Sequence, residues 1–163
     1  LTKLVQDVAD FVMTYGPLAW LGTREELEQS LHWYLSRDRA LLLKDRDQLV
    51  GVFLAHIVSD LSPWTRKRKA WPLEDPEGTY AFIQVAVLHP LYRDRGLVGG
   101  LRRWLHEHFP TVTHLAFERA DKNLDMHLHV QPLKELMSDG RRREATRTTP
   151  TAAATAATRH YGA

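Results

Sequence analysis

Apolar residues recur at intervals of three and four from the start of the chain, at Leu4, Val5, Val8, Phe11, Val12 and Tyr15. That period lines them along one side of a helix, so residues 1–15 are expected to form an amphipathic helix. Gly16-Pro17 ends it, because glycine tolerates a left-handed exit and proline cannot continue the hydrogen-bond ladder. Thr23 followed by Glu26 has the form of a capping box, which opens a second helix to about Arg37. Leu27, Leu31, Tyr34 and Leu35 give that helix its apolar stripe.

From Ala40 the pattern shortens. Ala40 to Lys44 and Leu49 to Ser59 are apolar runs separated by Asp45-Arg46-Asp47, the grammar of a β-hairpin. Residues 60–77 hold three prolines and the cluster Arg66-Lys67-Arg68-Lys69, which predicts an irregular excursion. Tyr80 to Leu88 is the most strand-like stretch of the chain. Leu97 to His108 reads as a helix with Leu97, Leu101, Trp104 and Leu105 on one side, and Val112 to Phe117 as a strand. Residues 122–137 read as a helix interrupted at Pro132. The expected order is therefore α-α-β-β-β-α-β-α, with strand, helix and strand over 80–117 forming one right-handed parallel crossover.

The remaining bulk properties narrow the function classes. A length of 163 residues suits one core, with 44% apolar and 26% charged residues, as in ordinary globular domains. No apolar run approaches the roughly 18 residues of a membrane span, and no signal-peptide pattern is visible, so an intracellular protein without membrane association is expected. Without cysteine there are no disulfides, thiol nucleophiles or zinc-thiolate sites. The net charge of +2 is uneven: residues 141–163 carry five arginines against Glu144, a net +4, which leaves −2 for the rest. The division expected is a domain over 1–140 and a basic Thr/Ala/Arg-rich tail over 141–163, ordered by a partner chain or a second copy. Trp64 and Trp71 flank the RKRK cluster as in some single-strand binders, but a surface loop explains the pattern as well, and nucleic acid is not the expected partner. His127 and His129 share a face only if extended, and no metal-ligand spacing is present, so no metal is expected.

The stretch from Val85 to Leu101 carries the most chemistry. A strand that bends straight into a helix aims the helix's first N–H groups at one point, where free donors and the helix dipole favour an anion. Gly96 permits a close backbone approach, and Arg93 and Arg95 add positive charge. The string Pro90-Leu91-Tyr92-Arg93-Asp94-Arg95-Gly96-Leu97 resembles the pyrophosphate loop of the GNAT N-acetyltransferase superfamily, Pro-x-Tyr-Arg-x-Lys/Arg-Gly-Ile/Leu-Gly/Ala. Leu42-Leu43-Lys44 and Leu49-Val50-Gly51-Val52-Phe53 are similar to that family's preceding hairpin, and the resemblance covers about half of the chain. It implies an α/β (α+β) fold with a central mixed sheet, a V-shaped splay and helices on both faces, followed here by the basic extension. It also implies acetyl-CoA in the V between the strands at 80–88 and 112–117. Backbone N–H groups of residues 95–99 would hold the pyrophosphate, and an amide near Val85–Val87 would polarise the thioester carbonyl. The cofactor-binding set on this reading is Val85, Val87, Arg93, Arg95, Gly96, Leu97, Val98, Gly99, Gly100 and Asn123.

Two departures bear on activity. Val98 stands where the family prefers Gly or Ala. The tyrosine that protonates the leaving thiolate in the family would fall near Val130, and the only downstream tyrosine is Tyr161. Base candidates are Glu118 and His89, with His56 and Asp60 behind them. Two function classes follow: an acetyl-CoA-dependent N-acetyltransferase acting on an amine, and a non-catalytic subunit of an assembly such as a bacteriophage particle, with the tail bound to a partner chain.

Overall fold

A computed structural model describes residues 1–16, 19–20, 22–62, 73–93, 96–123 and 125–134. The RKRK cluster, Arg95 and the basic tail lie outside the described residues. Two helices come first, α1 (Thr2–Tyr15) and α2 (Arg24–Ser36). Strands β1 (Ala40–Asp45), β2 (Gln48–Val58) and β3 (Tyr80–Leu88) follow, then α3 (Leu97–His108), β4 (His114–Ala120) and β5 (Met126–Pro132). The five strands lie side by side in sequence order. Every neighbouring pair is antiparallel except β3 and β4, which run parallel across the α3 crossover.

The expected capping box closes the start of α2: the Thr23 side chain accepts from the Glu26 N–H, and the Glu26 carboxylate accepts from the Thr23 N–H. Val5, Val8, Phe11 and Val12 of α1 join Leu27 and Leu31 of α2 in burying Val52, Leu54, Val85 and Val87 on one sheet face. On the other face Leu97, Leu101, Trp104 and Leu105 of α3 pack on Phe53, Ala55, Ile57, Ala81, Ile83 and Leu115. Being covered on both faces, β2 and β3 read as nearly continuous apolar runs.

One expected element is replaced. Where a helix was expected over 122–137, Met126–Pro132 form an edge strand paired antiparallel with β4, from Ala120↔Met126 to His114↔Pro132. Met126, Leu128 and Val130 alternate with His127, His129 and Gln131, which is the strand period, and proline is compatible with a strand edge. The imidazole of His129 stacks on Phe117, its cross-strand partner, with centroids 5.5 Å apart.

Candidate functional site

The sheet is interrupted at the middle of β3. Its ladder with β4 runs from Tyr80↔His114 to Ile83↔Phe117 and stops, although β3 continues to Leu88 and β4 to Ala120. A bulge sits at that point: Leu54 pairs with Val85 and Ala55 with Ile83, so Gln84 is the extra residue. A bulge bends its strand and raises the local twist, which accounts for the separation of the two strands beyond Ile83. Between them lies a V-shaped gap with Gln84 and Glu118 as the first residue on each side of its apex.

The register determines which amides of β3 face this gap. The His89 N–H donates to the Val50 carbonyl at 2.8 Å. Bonded pairs recur at every second residue of an antiparallel ladder, so Val87 and Val85, opposite Val52 and Leu54, direct their N–H groups to β2. The amides of Ala86 and Leu88 point the other way. Within the Val85–Val87 stretch, the amide that faces the gap is therefore that of Ala86, whose side chain is exposed in mid-strand.

The far end of the gap meets the start of α3. Gly96 caps that helix with φ of 73°, a left-handed conformation that favours glycine. A Cβ at Gly96 or at Gly99 would meet no atom within 4 Å, so the backbone there is open to a ligand. Leu97 turns into the core, whereas Val98 is 44% exposed. Leu97 and Val98 lie in the first turn, whose N–H groups precede any acceptor of their own helix.

The turn before α3 is held from both sides. Tyr92 donates its hydroxyl to the Asp45 carboxylate at the end of β1. His89 Nδ1 accepts from the Leu91 N–H at 3.2 Å, and its ring packs on Tyr15 at 4.6 Å. His89 thus caps a turn about 16 Å along β3 from Gln84. Arg93 is exposed, with Nε directed at the Leu88 carbonyl at 3.5 Å. Asn123 is in the exposed turn between β4 and β5, its N–H on Asp121 Oδ1 at 2.7 Å.

Glu118 alternates with Leu115 and Phe117, which pack toward α3, and so faces the opposite side of the sheet with Ala116. Partial burial raises its pKa above the ordinary carboxylate value.

That same face carries a polar chain drawn from α2, β2, β3 and the connections ahead of β1 and β3. The Tyr34 hydroxyl, on α2, lies 2.6 Å from His56 Nε2 and donates to the Gln84 side-chain carbonyl. His56 Nδ1 is 3.4 Å from Glu74 Oε2, and Arg39 Nε donates to Glu74 Oε1. Glu74 also accepts the Ile57 N–H at 3.0 Å, at the edge of β2 beyond the start of β1. Burial alone would raise the Glu74 pKa, but hydrogen bonds from His56 and Arg39, and the Arg39 charge, outweigh it and lower the value. Tyr34 is only 2% exposed, and burial, then the Glu74 charge, push its pKa up, so it stays a neutral donor. His56 stood among the sequence candidates, but Tyr34, Gln84 and Glu74 did not. One signal was available: Gln84 is the single polar residue in the middle of Tyr80–Leu88.

Elsewhere the surface is less informative. A shallow groove of about 510 Å³ lies between α1 and α2, lined by Thr2, Val5 and His32 among others, away from the gap. Among the described residues no group of three or more potential metal ligands converges, and no helix is long and apolar enough to cross a membrane.

No family model and no curated protein sequence matches the chain. Solved structures do. A GNAT-like decarboxylase, GphF, in complex with isobutyryl-CoA aligns with a TM-score of 0.55 at 16% identity, over 75% of this chain. The loading GNATL domain of CurA from Lyngbya majuscula aligns with a TM-score of 0.53 at 11% identity, also over 75% of this chain. The chain has the GNAT fold. It spans 65% and 63% of those two structures' own lengths. Within the GNAT fold the gap between β3 and β4 is the V that the sequence resemblance anticipated.

Proposed function

We propose that the chain binds an acyl-CoA thioester in the gap between β3 and β4 and transfers the acyl group to an amine. The observation that carries this reading is the ladder that ends at Ile83↔Phe117 while both strands continue, with the open N-terminus of α3 beyond it. The CoA diphosphate sits against the first-turn amides of α3, beside Gly96 and Arg93. The pantetheine arm enters the gap, where the Ala86 amide donates to the thioester carbonyl and stabilises the oxyanion formed on attack. Glu118 at the apex accepts the proton of the attacking amine, and a carboxylate with a raised pKa is the better base for that step. The C–N bond forms, the C–S bond breaks, and CoA leaves as the thiolate, which takes up a proton. The likeness to a structure holding isobutyryl-CoA supports a CoA thioester as ligand class, with acetyl-CoA as the first choice of acyl group.

Calorimetric titration with acetyl-CoA and with isobutyryl-CoA tests the reading. Micromolar binding is expected for the intact chain, and Gly96→Trp is expected to abolish it while leaving the far-ultraviolet circular dichroism unchanged. Absence of heat with both thioesters, at protein concentrations well above micromolar, would overturn it.

A further inference from the structure

The proposed transfer leaves one proton unassigned, the one required by the departing sulfur. The family's tyrosine position falls near Val130, which is an exposed residue of the edge strand β5. The gap has another tyrosine beside its apex. Tyr34 reaches down from α2 to Gln84, the residue immediately past the last β3–β4 pair. Its hydroxyl is bonded on the other side to an imidazole that is itself backed by a carboxylate.

We infer that Tyr34, His56 and Glu74 form a proton relay that protonates the leaving CoA thiolate at the apex of the gap. This rests on the acyl-CoA reading above. Three observations carry it. The polarity of the hydrogen bonds runs toward the gap: Tyr34 donates to Gln84, so its oxygen is left to accept from His56 Nε2, and Nδ1 then faces Glu74. Burial increases inward, from a Glu74 side chain 23% exposed, through His56 at 14%, to Tyr34 at 2%. The relay therefore joins solvent at the β2 edge to a dry position beside the bulge. Third, among the described residues Tyr34 of α2, Glu74 beside the β2 edge and, through Glu74, Arg39 ahead of β1 face His56. Arg39, bonded to the other carboxylate oxygen, holds Glu74 in place beside the ring.

The step balances. As the C–S bond breaks and sulfur takes the electron pair, the Tyr34 O–H proton passes to sulfur and the His56 Nε2 proton passes to the Tyr34 oxygen. His56 is left neutral and regains a proton from solvent past Glu74. The Gln84 carboxamide occupies the hydroxyl in the free protein and yields that place to the sulfur.

The test uses free CoA as the probe and does not depend on knowing the acceptor. Hydrogen bonding from Tyr34 stabilises the bound thiolate, so the thiol of CoA bound to the intact chain is expected to titrate at lower pH than in solution, read from thiolate ultraviolet absorbance. Tyr34→Phe, which keeps the buried ring, is expected to bind CoA within about threefold of the original affinity and to return the titration to that of free CoA. His56→Gln and Glu74→Gln are expected to move it part of the way. Equal titration curves for the intact chain and Tyr34→Phe, with both binding CoA, would overturn the relay and leave the acyl-CoA reading standing. Failure of the intact chain to bind CoA would remove both. Release of CoA from acetyl-CoA with hydroxylamine as a small acceptor gives a second readout: kcat falls in Tyr34→Phe while KM for acetyl-CoA holds, and unchanged kcat counts against the relay.

Discussion

Glu118 and Gly96 are the residues where local cost and chemistry meet. A carboxylate whose folded pKa is raised is less stable ionised in the folded protein than in the unfolded chain. That penalty is present at neutral pH and disappears as pH falls below the unfolded value. Glu118→Gln is therefore expected to raise Tm slightly at pH 7 and to leave it unchanged in acid, measured by calorimetry across pH. The same substitution should lower kcat by about 10²–10⁴, the usual contribution of a general base, with acetyl-CoA affinity preserved. Gly96→Ala places a Cβ in open space but at a positive φ, so the expected loss is about 1 kcal/mol from backbone strain rather than from a clash. Chemical denaturation checks it, with an unchanged m-value as the sign that the unfolded state is unaffected.

At the scale of elements, the boundaries follow from local rules where those rules agree. The α2 capping box was legible as Thr23 and Glu26, and Thr23→Ala is expected to cost about 1 kcal/mol, read from the urea midpoint. The hairpin, β3 and α3 were legible for the same reason: period, turn residues and length pointed one way. The strand β5 was not, because Pro132 read as a helix break and seven residues of alternation are short against a sixteen-residue window. The pair His127 and His129 held the missing signal, since two histidines that share a face only when extended sit between apolar residues that alternate with them. The gap was legible only through its outer end, the turn from Pro90 to Gly96. Its apex was not, because the Tyr34, His56, Glu74 and Gln84 contacts join segments up to fifty positions apart, and no spacing along one element encodes them.

For the whole molecule, acid stability should depend on the carboxylate that links the sheet edge to the polar chain. Glu74 has a depressed folded pKa, so its contribution is present above the unfolded carboxylate pKa and is lost as pH falls through the folded one. Glu74→Gln is expected to lower stability at neutral pH and to flatten the decline on the acid side, seen in Tm against pH. The sheet has a further property at this scale. Only four residue pairs join β3 to β4, against eight between β2 and β3 and seven between β4 and β5. The molecule is in effect two ribbons stitched by a short seam. Amide hydrogens of β4 and β5 should then exchange with deuterium faster than those of β2. A ligand filling the space beyond the seam would act as a wedge that fastens the ribbons together, slowing exchange on both sides.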